Sequence, residues 1–484
     1  MFDSVRGLSA RHVFYRKLNR ELPTVVRAEG VYLYDSDGKR YLDACGGAMV
    51  ACIGHGVAEV ADAIGEQARR VAYVNGTAFT NLPAERLADV LAKRAPPGID
   101  KAYFLSSGSE AVEAALKLAR QYHVERGESS RRFVIALNPG YHGNTLLALS
   151  ASARSHYRAV FSPWLLDVRM IDAPYPYRAD ETAASMSGQA LQAAIRELGA
   201  ENVAAFIAEP VGGSSTGASV APAGYFAAVR EICDRSGVLF IADEILSGSG
   251  RTGTFFALEH FRDATGGPVV PDIITLGKSL NGGYAPLSAL LARSSIVETL
   301  ASGPHGGLMH AQTYSHNPLA CAAALAVQKF VEKHELVRRA SAMGDVLQRR
   351  LASLARDGDG ADIVGDVRGL GMLAAIELVA DRRTKQPFER SLNVAERLVA
   401  SAHARGLVLW PNVGHADGRN GDLVMIAPPY TIANEQIEEL VDLLRAALAD
   451  TAHAVLEPSS TTNAVLERSS TTIATAGRDK RNTT

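Results

Sequence analysis

Short apolar runs alternate with longer segments of helical periodicity over most of the chain. Apolar residues recur at helical spacing in the segments 57–72, 83–95 and 109–126. The apolar runs have the length of buried strands, which we predict at 102–105, 133–137, 203–208, 239–242, 273–276 and 288–291. Strands that alternate with helices indicate a mostly parallel sheet covered by helices on both faces, so we predict an α/β fold.

The two ends of the chain follow a different pattern. Residues 24–43 alternate between apolar and polar side chains and break at Asp37-Gly38, which predicts a β-hairpin. A long Ala-rich helix is predicted from about residue 316 to about 355, and a smaller α+β region after it ends in a helix at 434–449. We therefore predict a large domain at 61–315 and a small domain built from both chain ends. The small domain comprises residues 1–60 and 316–450, and residues 451–484 form a tail.

The tail differs in composition from the rest of the chain. The sequence AVLEPSSTT at 454–462 recurs as AVLERSSTT at 464–472, within a Ser/Thr-rich segment that ends in polar and basic residues. Such a segment cannot bury enough apolar surface to order itself. We predict that residues 451–484 form a disordered tail that arose by local duplication.

The overall composition argues against several classes of function. The 484 residues include 50 basic and 52 acidic side chains, and this balance favours neither a nucleic acid nor an anionic membrane as a partner. No apolar run reaches the roughly 18 residues of a membrane span, and the N-terminal segment lacks the apolar region of a signal peptide. The four cysteines lie far apart, which indicates buried, reduced thiols in a cytoplasmic protein rather than a metal site or disulfides.

A lone lysine follows the apolar run at 273–276. Lys278 lies between Gly277 and the pair Gly282-Gly283, in a segment that otherwise reads as buried. Burial lowers the pKa of a lysine and makes its amine a nucleophile, which can form a Schiff base with a carbonyl such as the aldehyde of pyridoxal phosphate. An ordinary lysine with a buried stem and a solvated amine also fits this pattern.

Two further groups follow predicted strands, where ligands bind in open α/β sheets. Ser107, Gly108 and Ser109 open a helix, whose free N–H groups can bind an anion or can simply be capped. Asp243 follows the run at 239–242, and a carboxylate there can pair with a protonated pyridine nitrogen or bind a metal ion.

The remaining candidates are weaker when each is considered alone. Tyr141 and His142 follow a predicted strand, where an aromatic ring can stack on a flat ligand or belong to a surface turn. Glu209 ends another strand as either a site contact or a solvated carboxylate, and the Thr313 hydroxyl can complete a phosphate site.

Taken in order, these motifs resemble those of the class III aminotransferases. The set reads SGSE, YHG, AEP, DE followed by GSGRTG, GK followed by GGYAP, and QTYSHNPLACAAALA, and the resemblance runs from about residue 24 to about 445. It implies an enzyme of fold type I that uses pyridoxal 5'-phosphate and works as an obligate homodimer.

The resemblance also implies a role for each motif residue. Lys278 matches the lysine that forms the Schiff base and moves the proton between substrate and cofactor, and Asp243 matches the partner of the pyridinium nitrogen. Gly108 and Ser109, with Ser107 close by, match the residues that bind the cofactor phosphate, and Thr313 matches a residue that reaches the phosphate in the neighbouring subunit. Tyr141 and Ile245 match the residues on the two ring faces, and His142 lies beside Tyr141. Glu209 matches the acid near the ring hydroxyl.

The resemblance weakens at the substrate pocket. Relatives often bind the acceptor carboxylate through an arginine shortly after a stretch like 406–409, but here Trp410 follows and the next arginine is Arg419. Arg419 is therefore the candidate for binding a carboxylate by two hydrogen bonds, and Arg154 and Arg158 are further candidates.

Three other residues are predicted to form the walls of this pocket. Met49 lies where relatives acting on bulky ω-amines often carry an aromatic residue, which favours a roomy, apolar-tolerant pocket. Tyr15 and Trp410 are candidate aromatic walls, although aromatic residues belong more often to the core.

We predict that the enzyme moves an amino group from a primary amine or ω-amino acid to an oxo acid such as pyruvate or 2-oxoglutarate. The mechanism is ping-pong, with Lys278 as nucleophile and base. An aminomutase or a decarboxylating aminotransferase of the same family is the alternative. Intact Lys278 and Asp243 argue against a non-catalytic relative that keeps only the fold.

Overall fold

A computed structural model describes residues 12–18 and 21–456 of the chain. Its strands are β1 Val25–Glu29, β2 Tyr32–Asp35, β3 Arg40–Asp43, β4 Ile99–Leu105, β5 Phe133–Asn138, β6 Arg169–Asp172, β7 Val203–Ala208, β8 Leu239–Asp243, β9 Ile273–Leu276, β10 Ser288–Arg293, β11 Val364–Leu370, β12 Leu373–Leu378, β13 Leu407–Val408, β14 Trp410–Val413 and β15 Asp422–Ile426.

The helices cover both faces of the sheets and the chain ends. They are α1 Gly46–Met49 (one irregular turn), α2 Ala58–Arg70, α3 Leu82–Arg94, α4 Gly108–Glu125, α5 Leu146–Ser150, α6 Ser155–Phe161, α7 Gln189–Leu198, α8 Tyr225–Ser236, α9 Ser294–Ser302, α10 Pro318–Lys333, α11 Leu336–Ser353, α12 Val394–Ala404 and α13 Asn434–Leu456.

The largest sheet has seven strands in the order β4-β10-β9-β8-β7-β5-β6. Strand β10 is antiparallel to both neighbours and the other neighbouring pairs are parallel, which confirms the predicted α/β fold. All six predicted strands are present. The seventh, β6, was not predicted, because it is a short edge strand with only one fully buried residue and therefore lacks a continuous apolar run.

The central strands are apolar throughout because both of their faces are covered. Strand β7 is buried at every position, and so are β8 and β9. Phe206 and Phe240 belong to the apolar cluster on one face, whereas Ile207 and Ile241 belong to the cluster on the other. Because both faces are covered, each strand ends where its apolar run ends. The position of that end determines where the polar residues that follow it lie.

A second region joins the two ends of the chain. The segment predicted as a hairpin forms three antiparallel strands, and β13 from the C-terminal part adds to them in parallel with β3. The other sheet of this region has the order β11-β12-β15-β14. Helix α10 packs Cys321 against the core of the large sheet and Val327 against the second core. One helix therefore contributes to both cores. The domain boundaries at 60 and 315 stay a prediction.

Two helical predictions need correction. The helix predicted from 316 to 355 is two helices, α10 and α11, separated at Glu335, which has a left-handed φ of +50°. No glycine or proline marks this break, so the apolar periodicity appears continuous. Helix α13 runs to Leu456 and buries Ala452, so the first six residues of the predicted tail are helical. Residues 457–484 lie outside the described residues.

The cysteines are buried, as predicted. Cys45, Cys52, Cys233 and Cys321 are free thiols in the interior. Among the helices of residues 12–18 and 21–456, none has both the length and the apolar character needed to cross a membrane.

Candidate active site

A cavity of about 330 Å³ opens at the carboxyl edge of the parallel strands. Polar residues that follow β4, β5, β7, β8 and β9 meet there, because parallel strands present their carboxyl ends at one edge of the sheet. The cavity is lined by these predicted residues: Gly108, Ser109, Tyr141, His142, Glu209, Asp243, Ile245 and Lys278 from the cofactor motifs, with Met49 and Trp410 from the predicted substrate pocket.

Lys278 lies two residues after β9, with a left-handed φ of +42°. This conformation is unfavourable for a residue with a Cβ, and such conformations are concentrated at functional sites. Burial lowers the pKa of Lys278 even though the carboxylates of Asp243 and Glu209 act in the opposite direction. The lowered pKa increases the fraction of free amine near neutral pH, as a nucleophile or base requires.

Asp243 is buried and its carboxylate is held on both oxygens. Oδ2 lies 2.6 Å from Nδ1 of His142, and Oδ1 accepts hydrogen bonds from the backbone N–H of Ile245 and the hydroxyl of Thr275. Burial lowers the pKa of His142, but the hydrogen bond and charge of Asp243, together with the charge of Glu209, outweigh it and raise this pKa overall. The paired imidazole therefore stabilises and orients an ionised carboxylate at the base of the cavity.

The first turn of α4 has the free N–H groups that an anion-binding site requires. The Ser107 side chain caps the helix by accepting a hydrogen bond from the N–H of Glu110. The N–H groups of Gly108 and Ser109 precede the first intrahelical bond and stand at the positive end of the helix dipole. The Ser109 hydroxyl accepts from the N–H of Asn144, which ties this turn to the loop after β5.

Glycines allow the cavity walls to approach one another closely. A Cβ on Gly108 would lie 3.0 Å from Ile245 Cγ2, and one on Gly277 would lie 3.1 Å from Ile245 Cδ1. The Ile245 side chain therefore fits between two residues without side chains. Gly143, with φ of +141°, would place a Cβ 2.6 Å from the Ser109 hydroxyl oxygen.

Glu209 joins two loops at the same edge of the sheet. Its Oε2 accepts from the N–H of Tyr141 at 3.1 Å, and its Oε1 accepts from the N–H of Gly213 at 2.9 Å. Burial raises the pKa of Glu209. The carboxylate positions the loop that carries the Tyr141 ring.

Five candidate residues do not line this cavity. Arg158 donates instead to the backbone carbonyls of Ser150 at 2.7 Å and Ser152 at 2.9 Å. Ser107 is exposed and caps α4, and Tyr15 has 48% of its surface exposed. Arg419 is exposed on a loop where its backbone N–H donates to Asp417, so the structure does not bring the main candidate for carboxylate binding to the cavity. Thr313 is also exposed, and its expected contact with a neighbouring subunit stays a prediction.

The cavity also contains residues that do not follow a predicted strand. Arg154 was only a further candidate, Gly143 belongs to the YHG motif, and Ala48 belongs to the stretch 46–49 predicted as a pocket wall. The residues that were not predicted are Arg16, Asn144, Tyr157, Ser214 and Leu246. Asn144 could have been inferred from its adjacency to the YHG motif. Arg16 and Tyr157 carry no local signal, because the contact between them spans 141 positions of sequence.

The site fits pyridoxal phosphate, the cofactor that the motifs imply. The buried Nε2 of His142 has no hydrogen-bond partner among the described residues, and the Asp243 carboxylate beside it can receive a ring N–H. The anion-binding turn at Gly108 suits the phosphate, and the free amine of Lys278 suits the aldehyde. Tyr141 and Ile245 both line the cavity, so both can contact a flat ring bound there.

Comparisons with known proteins identify the family of the chain. The family described as aminotransferase class-III matches residues 15–448. An uncharacterised aminotransferase of Schizosaccharomyces pombe is 40% identical, over 94% of this chain and 98% of that protein. The putrescine–pyruvate aminotransferase of Pseudomonas aeruginosa is 34% identical, over 91% and 94%. The crystal structure of an (S)-enantioselective omega-transaminase from Thermomicrobium roseum superimposes with a TM-score of 0.82 at 34% identity, over 92% and 96%. The chain therefore belongs to the class III aminotransferases, pyridoxal-phosphate-dependent transferases of fold type I.

Proposed function

We propose that this aminotransferase moves an amino group from a primary amine or ω-amino acid to an oxo acid such as pyruvate or 2-oxoglutarate. The observation that carries the proposal is Lys278, a strained lysine of lowered pKa in the cavity that also holds the His142–Asp243 pair. The name of the Pseudomonas relative, which pairs putrescine with pyruvate, supports an amine donor and an oxo-acid acceptor.

Each polar residue of the cavity has a separate task in this proposal. Bound pyridoxal phosphate supplies an electron sink that stabilises negative charge at the substrate carbon. Lys278 would hold the cofactor covalently, and its amine, when free, would move the proton at the substrate carbon. Asp243 keeps the ring nitrogen protonated, and His142 holds that carboxylate in place.

The remaining cofactor contacts fix the ring and its phosphate. The N–H groups of Gly108 and Ser109 bind the phosphate at the start of α4. Tyr141 and Ile245, which both line the cavity, would hold the ring between their side chains. Glu209 orients the loop of Tyr141 through its backbone hydrogen bonds.

A homodimer is part of the proposal. Residues 71–82 and 309–316, called here the 71–82/309–316 surface, contact each other through Tyr73 and Tyr314, whose ring centroids are 6.1 Å apart. This surface exposes large apolar side chains, which are Val71, Tyr73, Phe79, Leu82, Met309 and Tyr314. An exposed apolar patch of this kind is typical of an interface. Thr313 lies within it, where it can reach the cofactor phosphate of a second copy.

The proposal is tested first with the visible absorbance of the purified protein. We expect a band from the lysine-bound cofactor that bleaches when an amino donor is added without acceptor. In Lys278→Ala the cofactor should bind only non-covalently, and turnover should fall by at least about 1000-fold, because nucleophile and base are lost together. The control is Lys385→Ala, an exposed lysine that also has a positive φ, of +58°, and should leave both readouts unchanged.

Product analysis distinguishes the alternatives. Transamination requires an oxo acid, decarboxylation releases CO₂, and a mutase turns over without a second substrate. Near-normal turnover in Lys278→Ala, or a wild-type protein that stays colourless with added cofactor, contradicts the proposed function.

A further inference from the structure

Arg154 is held rigidly on the wall of the cavity. Its Nε donates to the Ser215 hydroxyl at 3.2 Å, and its Nη2 donates to the Ser214 hydroxyl. The guanidinium carbon lies 4.4 Å from the ring centroid of Tyr141 and 5.9 Å from that of Tyr157. No acceptor for Nη1 is present within residues 12–18 and 21–456. The serine and tyrosine contacts therefore orient the guanidinium group and leave Nη1 available to a ligand.

Arg154 has no ion-pair partner in the described part of the chain, although the charge of Glu209 acts on it from beyond ion-pair distance. Among the described residues no carboxylate lies within 4.0 Å of it, whereas the more deeply buried Arg368 pairs with both Asp366 and Glu377. Serine hydroxyls satisfy hydrogen bonds but supply no opposite charge. A partly desolvated guanidinium without a counter-ion is costly unless an anion binds beside it.

A second arginine adds positive charge to the same wall. Arg16 donates from Nη2 to the Tyr157 hydroxyl, and its guanidinium carbon lies 5.2 Å from the centroid of that ring. The carboxylates that line the cavity are already engaged, because Glu209 accepts two backbone N–H groups and Asp243 is paired with His142. Neither arginine of this wall therefore has a carboxylate within ion-pair distance among the described residues, whereas Glu209 and Asp243 are each held by other groups.

We propose that Arg154, assisted by Arg16, binds a carboxylate at the far end of the amino donor and so selects ω-amino acids over diamines. This inference rests on the proposed function. A carboxylate can form charge-assisted hydrogen bonds with the free end of the guanidinium. The second ammonium of a diamine meets two positive charges on this wall instead. Arg154 and Lys278 line the same cavity, so a donor with its amine at Lys278 can present its far end to Arg154.

The test uses the holoenzyme and three donors of equal chain length, which are 4-aminobutyrate, 1-aminobutane and 1,4-diaminobutane. The rate of cofactor bleaching without acceptor should be highest for 4-aminobutyrate in the wild type. Arg154→Gln should lower that rate by about 10- to 100-fold, as expected for loss of a hydrogen bond to a charged group. The rates for the other two donors should stay equal or rise, and Arg154→Lys should restore part of the loss.

A binding measurement keeps the inference separate from catalysis. Calorimetry with butyrate, which has the carboxylate but no amine, should show binding to the wild type and at least about tenfold weaker binding to Arg154→Gln. The matched control is Arg132→Gln, an exposed arginine stacked on Phe133 outside the cavity. Cofactor content and circular dichroism verify that each variant is folded.

Different failures point to different errors. If no amine bleaches the wild type, the proposed function is wrong, and the butyrate measurement still decides the role of Arg154. If Arg154→Gln slows all three donors equally, or leaves butyrate binding unchanged, Arg154 does not bind the carboxylate. Loss of butyrate binding in Arg419→Gln but not in Arg154→Gln also overturns the inference.

Discussion

Gly143 lies where the loop after β5 crosses the first turn of α4. Its φ of +141° is accessible essentially only to glycine, and an added Cβ would also lie 2.8 Å from the Cα of Ser109. The contact is with backbone as well as side chain, so rotation of a side chain cannot relieve it. One residue without a side chain therefore allows the anion-binding turn and the Tyr141 loop to meet.

We expect Gly143→Ala to lower the free energy of unfolding by about 2–4 kcal/mol, because backbone strain and steric overlap add. Cofactor affinity should fall as well, since Ser109 must move. The matched control is Gly127→Ala, which also has a positive φ, of +78°, but no atom within 4 Å of the new Cβ. It should lose only about 1–2 kcal/mol and keep its cofactor affinity. Chemical denaturation and cofactor titration measure both effects; equal losses in the two variants would show that the close approach is unimportant.

At the scale of elements, a buried carboxylate connects the end of β8 to a later turn. Glu244 directly follows β8 and accepts from the N–H groups of Ala257 at 2.7 Å and Leu258 at 3.0 Å. It is completely buried, and burial raises its pKa to about 7. The carboxylate satisfies the first backbone N–H groups of the 3-10 turn Ala257–His260. Its removal from water costs free energy.

This raised pKa predicts a pH dependence of stability. Between about pH 4.5 and 7 the folded state holds a proton on Glu244 that the unfolded state has released, so the contribution of this group to stability falls as the pH rises through that window. Glu244→Gln does not titrate. We therefore expect its free energy of unfolding, relative to the wild type, to rise from pH 5 to pH 8. Urea denaturation across this range measures the difference; Glu181→Gln, at an exposed carboxylate, is the control. A difference that stays constant with pH would show that Glu244 has no such shift.

The break between α10 and α11 is also decided at this scale. Amphipathic periodicity predicted one helix, but the chain turns at Glu335, so that α11 packs Leu347 into the second core while the start of α10 packs against the large sheet. A residue with a positive φ and a Cβ is unfavourable locally and is maintained by packing on both sides. Local propensity alone therefore could not locate the break.

For the whole molecule, the proposed dimer links assembly to cofactor binding. Binding energy from a second copy stabilises the bound cofactor only while the copies are associated. We expect Thr313→Ala to weaken cofactor affinity by roughly tenfold while the dimer persists, since one hydrogen bond to a charged phosphate is lost. Tyr314→Glu, at the centre of the 71–82/309–316 surface, should dissociate the dimer and release the cofactor.

Sedimentation velocity and cofactor titration at several protein concentrations measure these effects, with Thr182→Ala as an exposed control outside that surface. A monomeric wild type that binds cofactor independently of protein concentration would rule out the interface. A dimer whose cofactor affinity is unchanged in Thr313→Ala would rule out only the role of that threonine.

The sequence by itself determined the central sheet and most residues of the proposed cofactor site. Continuous apolar runs identify strands buried on both faces, and a polar residue just after such a strand lies at the common carboxyl edge of a parallel sheet. The sequence therefore predicts Lys278 and Asp243 at the same edge of the sheet. Both residues line the same cavity. Both properties are local, so a single sequence carries them.

Only the tertiary structure decided how the substrate side of the cavity is built. Arg16 and Tyr157 meet across 141 positions, and Arg154 lies on the cavity wall, although it does not follow a strand. Arg419, the sequence-based candidate, is turned to solvent by the loop that carries it. Such contacts depend on how separate segments pack, and packing between distant segments leaves no periodicity or spacing in the sequence. The cofactor motifs could therefore be predicted from the chain, whereas the choice of Arg154 over Arg158 and Arg419 required the fold.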